Sequence, residues 1–215
     1  MNRHQPAPDH ERDRLARAAA RLLAADPGLG LDAAIARARR ASGRPEGPVP
    51  SRSLVHRHLE GVQQASLGQA GFEDRQATEL SAVVEVLDLV EVLVRPEGIQ
   101  VVGRVATRHV LGGVDVHARV QGGAPLQTHA DALEAAGLEE LRFHTVRTLR
   151  GYLPRLALES DRRRFNLTQC PSDWELEPAR NLFTGERIAS CWLEDLRSRS
   201  NGSSPDDDAF SPGHP

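Results

Sequence analysis

The chain has no lysine: all 27 of its Lys and Arg positions are arginine. This excludes a P-loop lysine, a Schiff-base lysine and a lysine general base. It has two cysteines, Cys170 and Cys191, and no C-x-x-C pair, which argues against a structural zinc site. No apolar run reaches the roughly 18 residues of a transmembrane helix, so no membrane partner is expected. The stretch from Met1 to Pro27 mixes arginine with acids and has no apolar core, so no secretory leader is visible. Few cysteines and no such leader make the cytoplasm the expected location, where a disulfide between the two cysteines is not expected. No G-x-S-x-G elbow occurs, and neither cysteine is placed beside a recognisable histidine.

What is present is enough for a real core. With 215 residues, 39% hydrophobic and 27% charged, the chain fits one domain or two small ones. Its net charge of −3 is unevenly spread. Residues 1–60 hold 11 Arg against 7 acids, whereas residues 61–215 hold 16 Arg against 23 acids. Two parts with different surfaces are expected.

Periodicity divides the chain further. Leu15, Ala18, Ala19, Leu22 and Leu23 form an amphipathic helical stripe in an alanine-rich stretch. Leu31, Ala34, Ile35 and Ala38 form a second, with Asp32 in its first turn. Gly43 to Pro50 is a loop. Ser51 or Ser53 can cap a third helix carrying Leu54, Val55 and Leu59. Residues 1–61 are therefore read as a three-helix subdomain, and the polar, Gln- and Gly-containing residues 62–77 as a linker.

A second domain is expected over 78–197. Leu80, Val83, Val84, Leu87, Val90 and Val94 share a helical face opposite Glu85, Asp88 and Glu91. A short strand follows at Ile99–Val102. The next alternates, with Val114, Val116, Ala118 and Val120 on one face and Asp115, His117 and Arg119 on the other. A helix is expected over Thr128–Ala136, then strands at Leu141–Val146, Leu153–Leu158 and Phe165–Gln169, with a hairpin at Gly151-Tyr152. A final helix is expected at Ile188–Leu196, and a tail without core pattern over 198–215. This order of elements makes an α+β domain.

The informative stretch is Gly103-Arg104-Val105-Ala106-Thr107, followed by Asp115-Val116-His117. It resembles the signature of the nucleotidyltransferase superfamily, of the minimal polymerase-beta-like type. Gly103 stands at the glycine of the family's Gly-Ser turn, Ala106 at its small residue, and Asp115 at the first acid of Asp-x-Asp. The wider layout resembles bacterial proteins that place a helical region before such a domain, over Ala16–Leu59, Arg95–Val120, Phe165–Gln169 and Leu176–Leu196. The resemblance implies a mixed sheet with flanking helices. It implies a nucleoside triphosphate as partner and transfer of a nucleotidyl group to a hydroxyl. In the family, carboxylates on alternate strand positions hold divalent metals, which bridge the triphosphate and activate the acceptor.

This chain departs from that pattern. The Ser position is Arg104, the second Asp position is His117, and Asn166 stands where a later strand would supply the third carboxylate. The expectation is a degenerate member with Asp115, His117 and Asn166 in the catalytic positions. Gly103, Arg104 and Thr107 would form the nucleotide turn, in which the Arg104 fork can grip a phosphate. Magnesium or manganese would be the cofactor if the site is active, held by Asp115 and His117.

Other candidates carry less. His56 and His58, two apart on a helix, do not share a face. Arg37, Arg39, Arg40, Arg44, Arg52 and Arg57 offer an alternative function, nucleic-acid binding through residues 37–57 or a protein-interaction surface. Arg162-Arg163-Arg164 is expected to be exposed, or, if it lies near a nucleotide pocket, to bind anions.

Overall fold

A computed structural model of the chain describes residues 8–26, 28–43, 46–160 and 163–200. The protein is an α+β chain. Its described residues contain five α-helices and one six-stranded mixed sheet. It divides into two compact units, Met1–Asp74 and Arg75–Pro215.

The first unit holds α1 (Pro8–Ala25), α2 (Leu31–Ala41) and the start of α3 (Arg52–Val94). Its core is mostly alanine: Ala16, Ala19, Ala20, Ala34 and Ala38 are buried with Leu23, Ile35, Val55 and Leu59. Small side chains let helices approach closely, and the four larger ones supply most of the apolar burial, about 1.5–3 kcal/mol each. Ser51, rather than Ser53, caps α3, its hydroxyl oxygen accepting the Leu54 N–H at 3.3 Å. Asp13 on α1 meets His58 on α3 at 2.7 Å, and this hydrogen bond holds the Asp13 carboxyl below the usual carboxylate range.

The expected linker at 62–77 is helix instead, within α3. Gln, Ala, Glu, Leu and Arg are good helix formers, and their polarity was misleading. The helix is broken at one point, Gly68, whose φ of 71° and ψ of 173° lie outside helical space. Glycine alone takes such a conformation without strain. The division between units falls later than residue 61, within the same helix.

In the second unit the expected face of α3 is buried, from Leu80 through Val94. The sheet comprises β1 (Gly98–Val102), β2 (Val116–Gln121), β3 (Glu139–Thr148), β4 (Gly151–Ser160), β5 (Arg163–Cys170) and β6 (Ser190–Trp192). Their order is β3-β4-β5-β2-β1-β6. Only β2 and β5 run parallel; every other pair is antiparallel. Between β2 and β3, a short 3₁₀ turn at Leu126–His129 precedes α4 (Ala130–Ala135), where one helix was expected from Thr128. The β3–β4 hairpin closes with Thr148 opposite Gly151, at the position Gly151 predicts.

The expected helix at Ile188–Leu196 is two elements. Ser190–Trp192 pairs with β1, and α5 (Leu193–Ser200) starts only afterwards. A three-residue strand is too short to show its alternation in sequence. Residues 198–200, expected in the tail, complete α5, and the rest of the tail lies outside the described residues.

The two sheet faces differ. One carries Ile99, Val101, Val116, Ala118, Val120, Leu156, Leu158, Phe165 and Leu167, all buried. On this side α5 packs on β1 and β6, and α3 is tied to α5 by Arg197, which pairs with Asp88 at 2.7 Å and with Glu91. On the other face, the irregular segment 171–189 covers one end of the strands. Beneath it Leu153, Cys170 and Leu176 are buried, with Val146, Trp174, Leu182 and Trp192 packed around them. Burial pushes the thiols of Cys170 and Cys191 up to about 11, so both are inert at neutral pH.

Arg119 corrects the simple reading of β2. It lies on the polar face with His117, but it is buried rather than solvated. Its guanidinium donates to Gln100 Oε1 at 3.1 Å and to the Arg180 carbonyl. Gln100 in turn donates to Glu177 Oε1 at 2.6 Å. Arg119→Met removes the centre of this network and leaves acceptors unpaired. It should cost about 1–3 kcal/mol, with faster amide exchange confined to residues 171–189. Exchange rising equally over the whole sheet would contradict this placement.

Candidate functional site

The remaining end of the polar face is open. It is the end at which β1 finishes and β2 and β5 begin. Val102 lies opposite His117 across the β1–β2 pair, and His117 lies beside Asn166 across the parallel β2–β5 pair. Asp115 is partly buried immediately before β2. Chain order therefore separates these residues, while the topology brings Asp115, His117 and Asn166 to one end of one face. The Gly103 turn follows β1 at that same end.

The turn itself is occupied by its own hydrogen bonds. Gly103 has a φ of 82°, which turns the chain out of β1 at a position where a side chain would be strained. Its N–H donates to the Ala189 carbonyl at 2.8 Å. The Arg104 carbonyl accepts from the N–H groups of Thr107 and His109, both at 3.0 Å, and from the Thr107 hydroxyl at 2.8 Å. The amides of Gly103, Thr107 and His109 are thus directed into the protein. Arg104, Thr107 and Gly103 are brought to the expected end of the sheet, with the Gly103, Thr107 and His109 amides already bonded within the protein.

Loop 103–115 is held by a residue that nothing in the sequence singles out from its neighbours. Arg163, expected at the surface, is buried and donates to the carbonyls of Val110 at 2.9 Å and Val114 at 3.2 Å. It also pairs with Glu79 of α3 at 2.5 Å. Alternation along β5 explains the change: Arg163 falls on the same face as Phe165 and Leu167, whereas Arg164 faces outward and is exposed. Arg162 lies outside the described residues. Arg163 thereby anchors the backbone immediately before Asp115.

The donor set does not fit a magnesium site. It offers one carboxylate, one imidazole and one amide, and magnesium requires near-octahedral oxygen ligands. Among the described residues no group of three or more His, Cys, Asp or Glu side chains is placed to hold a metal ion.

Across β5 the open face continues onto β4 and β3. Asn166 neighbours Ala157, which neighbours Arg142; Thr168 neighbours Arg155, which neighbours His144. A shallow depression of about 230 Å³ lies here, lined by Glu140, Arg142, His144, Ala157, Leu158, Glu159, Arg164 and Asn166. Arg142 pairs with Glu140 at 2.6 Å and Arg164 with Glu159 at 3.2 Å. Arg155 and His144 were not singled out from sequence. Alternation in β4 puts Arg155 on the polar face, but only the pairing register shows what lies beside it.

The N-terminal arginines are partly engaged and partly exposed. Arg52 pairs with Asp32 at 2.6 Å, and Arg39 donates to the Gly47 carbonyl at 3.0 Å. Arg37, Arg40 and Arg57 are exposed, and Arg44 lies outside the described residues.

His117 reports the electrostatics of the open end. Its ring keeps a solvent-exposed edge, yet the protein packed around it pushes its pKa below the ordinary imidazole value. The Asp115 carboxylate opposes that shift, and the Arg155 guanidinium adds to it. The folded chain thus binds this proton less readily than the unfolded chain. Stability contributed by the neutral ring is lost as pH falls from the ordinary value, about 6.5, toward the lowered one. Titration of the His117 ring by NMR should show a midpoint that falls further in Asp115→Asn and rises in Arg155→Met. An unchanged midpoint in both variants would show that neither charge reaches the ring.

Comparison of the chain with models of protein families, with curated proteins and with solved structures finds no match, so what this site does rests on its own geometry.

Proposed function

We propose that the chain is a nucleotidyltransferase-like protein that binds a nucleoside triphosphate at the open end of its sheet and has lost metal-dependent transfer. One observation carries this reading. The positions that the family signature assigns to its turn and its three acids, namely Gly103, Asp115, His117 and Asn166, converge at one end of one sheet face. Convergence of residues from three separate stretches is not demanded by packing, since Asp115, His117 and Asn166 are not core residues.

The substitutions give the direction of the change. His117 and Asn166 keep polar, hydrogen-bonding groups at the acid positions but remove their negative charge. A triphosphate approaching this end meets less repulsion than it would from three carboxylates. The same exchange removes the oxygen ligands that would hold two metals, so binding without transfer follows. In this reading the protein acts in the cytoplasm, where nucleoside triphosphates are abundant, as a binding module toward a further protein.

Thermal unfolding with each nucleoside triphosphate, with and without Mg²⁺ or Mn²⁺, tests the reading. A triphosphate at a hundred times its dissociation constant should add about 2.7 kcal/mol of stability. The shift should persist without divalent metal and change in Asp115→Ala. Absence of any shift at millimolar nucleotide would overturn the proposal. A shift that needs metal, with turnover of the triphosphate, would restore the active enzyme in its place.

A further inference from the structure

Arg155 stands out among the partly buried cations of the second unit. Its Nε donates to the Thr168 hydroxyl at 3.0 Å, and its guanidinium lies over the Phe183 ring, 5.3 Å from the centroid. These contacts fix the plane of the group from two sides. They leave both Nη atoms without a protein acceptor among the described residues. Arg119 and Arg163, the buried arginines of the same sheet, are different: each has two or more acceptors. Arg142 and Arg164, its neighbours on the open face, each have a glutamate.

The position of Arg155 gives the unmet donors a direction. It sits at the border between the covered and open halves of the polar face. Thr168 beside it is buried, whereas His144 on its other side is exposed. Segment 171–189, through Phe183, backs one face of the guanidinium, and the exposed His144 leaves the side toward the open face accessible. There it meets His117 and Asn166, one register step away on β2 and β5. Arginine cannot shed its proton to relieve this burial, and its planar fork matches the paired oxygens of a phosphate.

We propose that Arg155 is the anchor of an anion site on the open sheet face, taking a phosphoryl group through its two Nη donors, with Asn166 and His117 as flanking donors. The ligand class is a phosphate ester or polyphosphate. The depression beside it, lined by Asn166 but not by Arg155 or His117, is about 230 Å³, below the roughly 300–1,000 Å³ usual for sites that engulf a whole organic ligand. Phosphate contact on the sheet does not draw on the Gly103, Thr107 and His109 amides, which are bonded within the protein. The inference deepens the nucleotide reading above by naming where the phosphates sit, and it rests on that reading only for the nucleoside.

The test is isothermal titration of the full chain with inorganic phosphate, pyrophosphate, tripolyphosphate and ATP. Wild type should bind tripolyphosphate, and Arg155→Met, which keeps apolar bulk of similar length beside Phe183, should weaken it at least tenfold. Arg155→Lys, which keeps the charge but not the fork, should fall between. Should Arg155→Met not fold, this second variant carries the test alone. Arg150→Met is the control: Arg150 lies over Trp174, outside the site, and its loss removes the same charge. Wild-type affinity in Arg155→Met, equal weakening in Arg150→Met, or no binding of any polyphosphate at millimolar concentration would each overturn the proposal. Arg155-dependent tripolyphosphate binding that ATP does not exceed would support the anion site while defeating the nucleotide reading. ATP binding that depends on Asp115 but not on Arg155 would do the reverse.

Discussion

A buried guanidinium holds the second unit in its working shape. Arg119 lies in the middle of the sheet, between Gln100 and the carbonyl of Arg180, and through Gln100 it reaches Glu177. Residues 171–189 have almost no regular structure and bury few large side chains. Hydrophobic area alone, at about 25 cal/mol per Å², would hold such a segment weakly. Charge-assisted hydrogen bonds give it a fixed position instead. Because this cover stops partway along the strands, one end of the polar face stays open. Every feature of the candidate site follows from where that cover ends.

The second constraint is the parallel pairing of β2 with β5. Strands β3, β4 and β5 form a meander, and β5 enters the sheet beside β2 instead of returning to an edge. This sets Asn166 against His117 and Thr168 against Arg119. Had β5 run antiparallel, its first residues would lie at the covered end, and Asn166 would be remote from Asp115. Arg163 completes the arrangement by drawing loop 103–115 down onto the start of β5. The strand that supplies Asn166 therefore also fixes the loop that supplies Asp115.

Local patterns were legible in the sequence, and long-range ones were not. The stripes of α1, α2 and the second half of α3 could be read because burial of one helical face imposes a repeat of 3.6 residues. The alternation of β2 correctly separated Val116, Ala118 and Val120 from His117 and Arg119. It could not show that half of the polar face is covered, so Arg119 and its exposed neighbour His117 carried the same signal. Arg163 was hidden by standing beside Arg164, although one residue along a strand reverses the face. Residues 62–77 misled through polarity, since a helix with little burial keeps good propensity but lacks a stripe. The site positions Asp115, His117 and Asn166 come from a motif resemblance, and the pairing register sets His117 directly beside Asn166.

The absence of lysine has a physical consequence for the site. A buried lysine can lower its pKa and become neutral, whereas arginine remains charged. Every cation that this sheet encloses must then find acceptors or stay open to solvent. Arg119 finds carbonyl and amide oxygens, and Arg163 finds carbonyls and a carboxylate. Arg155 is partly buried and crowded enough to lower its proton affinity, yet among the described residues its one hydrogen-bond acceptor is a threonine hydroxyl. A structural role in pinning Phe183 would be served as well by an apolar side chain of similar length, without the cost of desolvating a charge. A fixed, uncompensated guanidinium at the edge of an open face is instead what the binding of an anion requires.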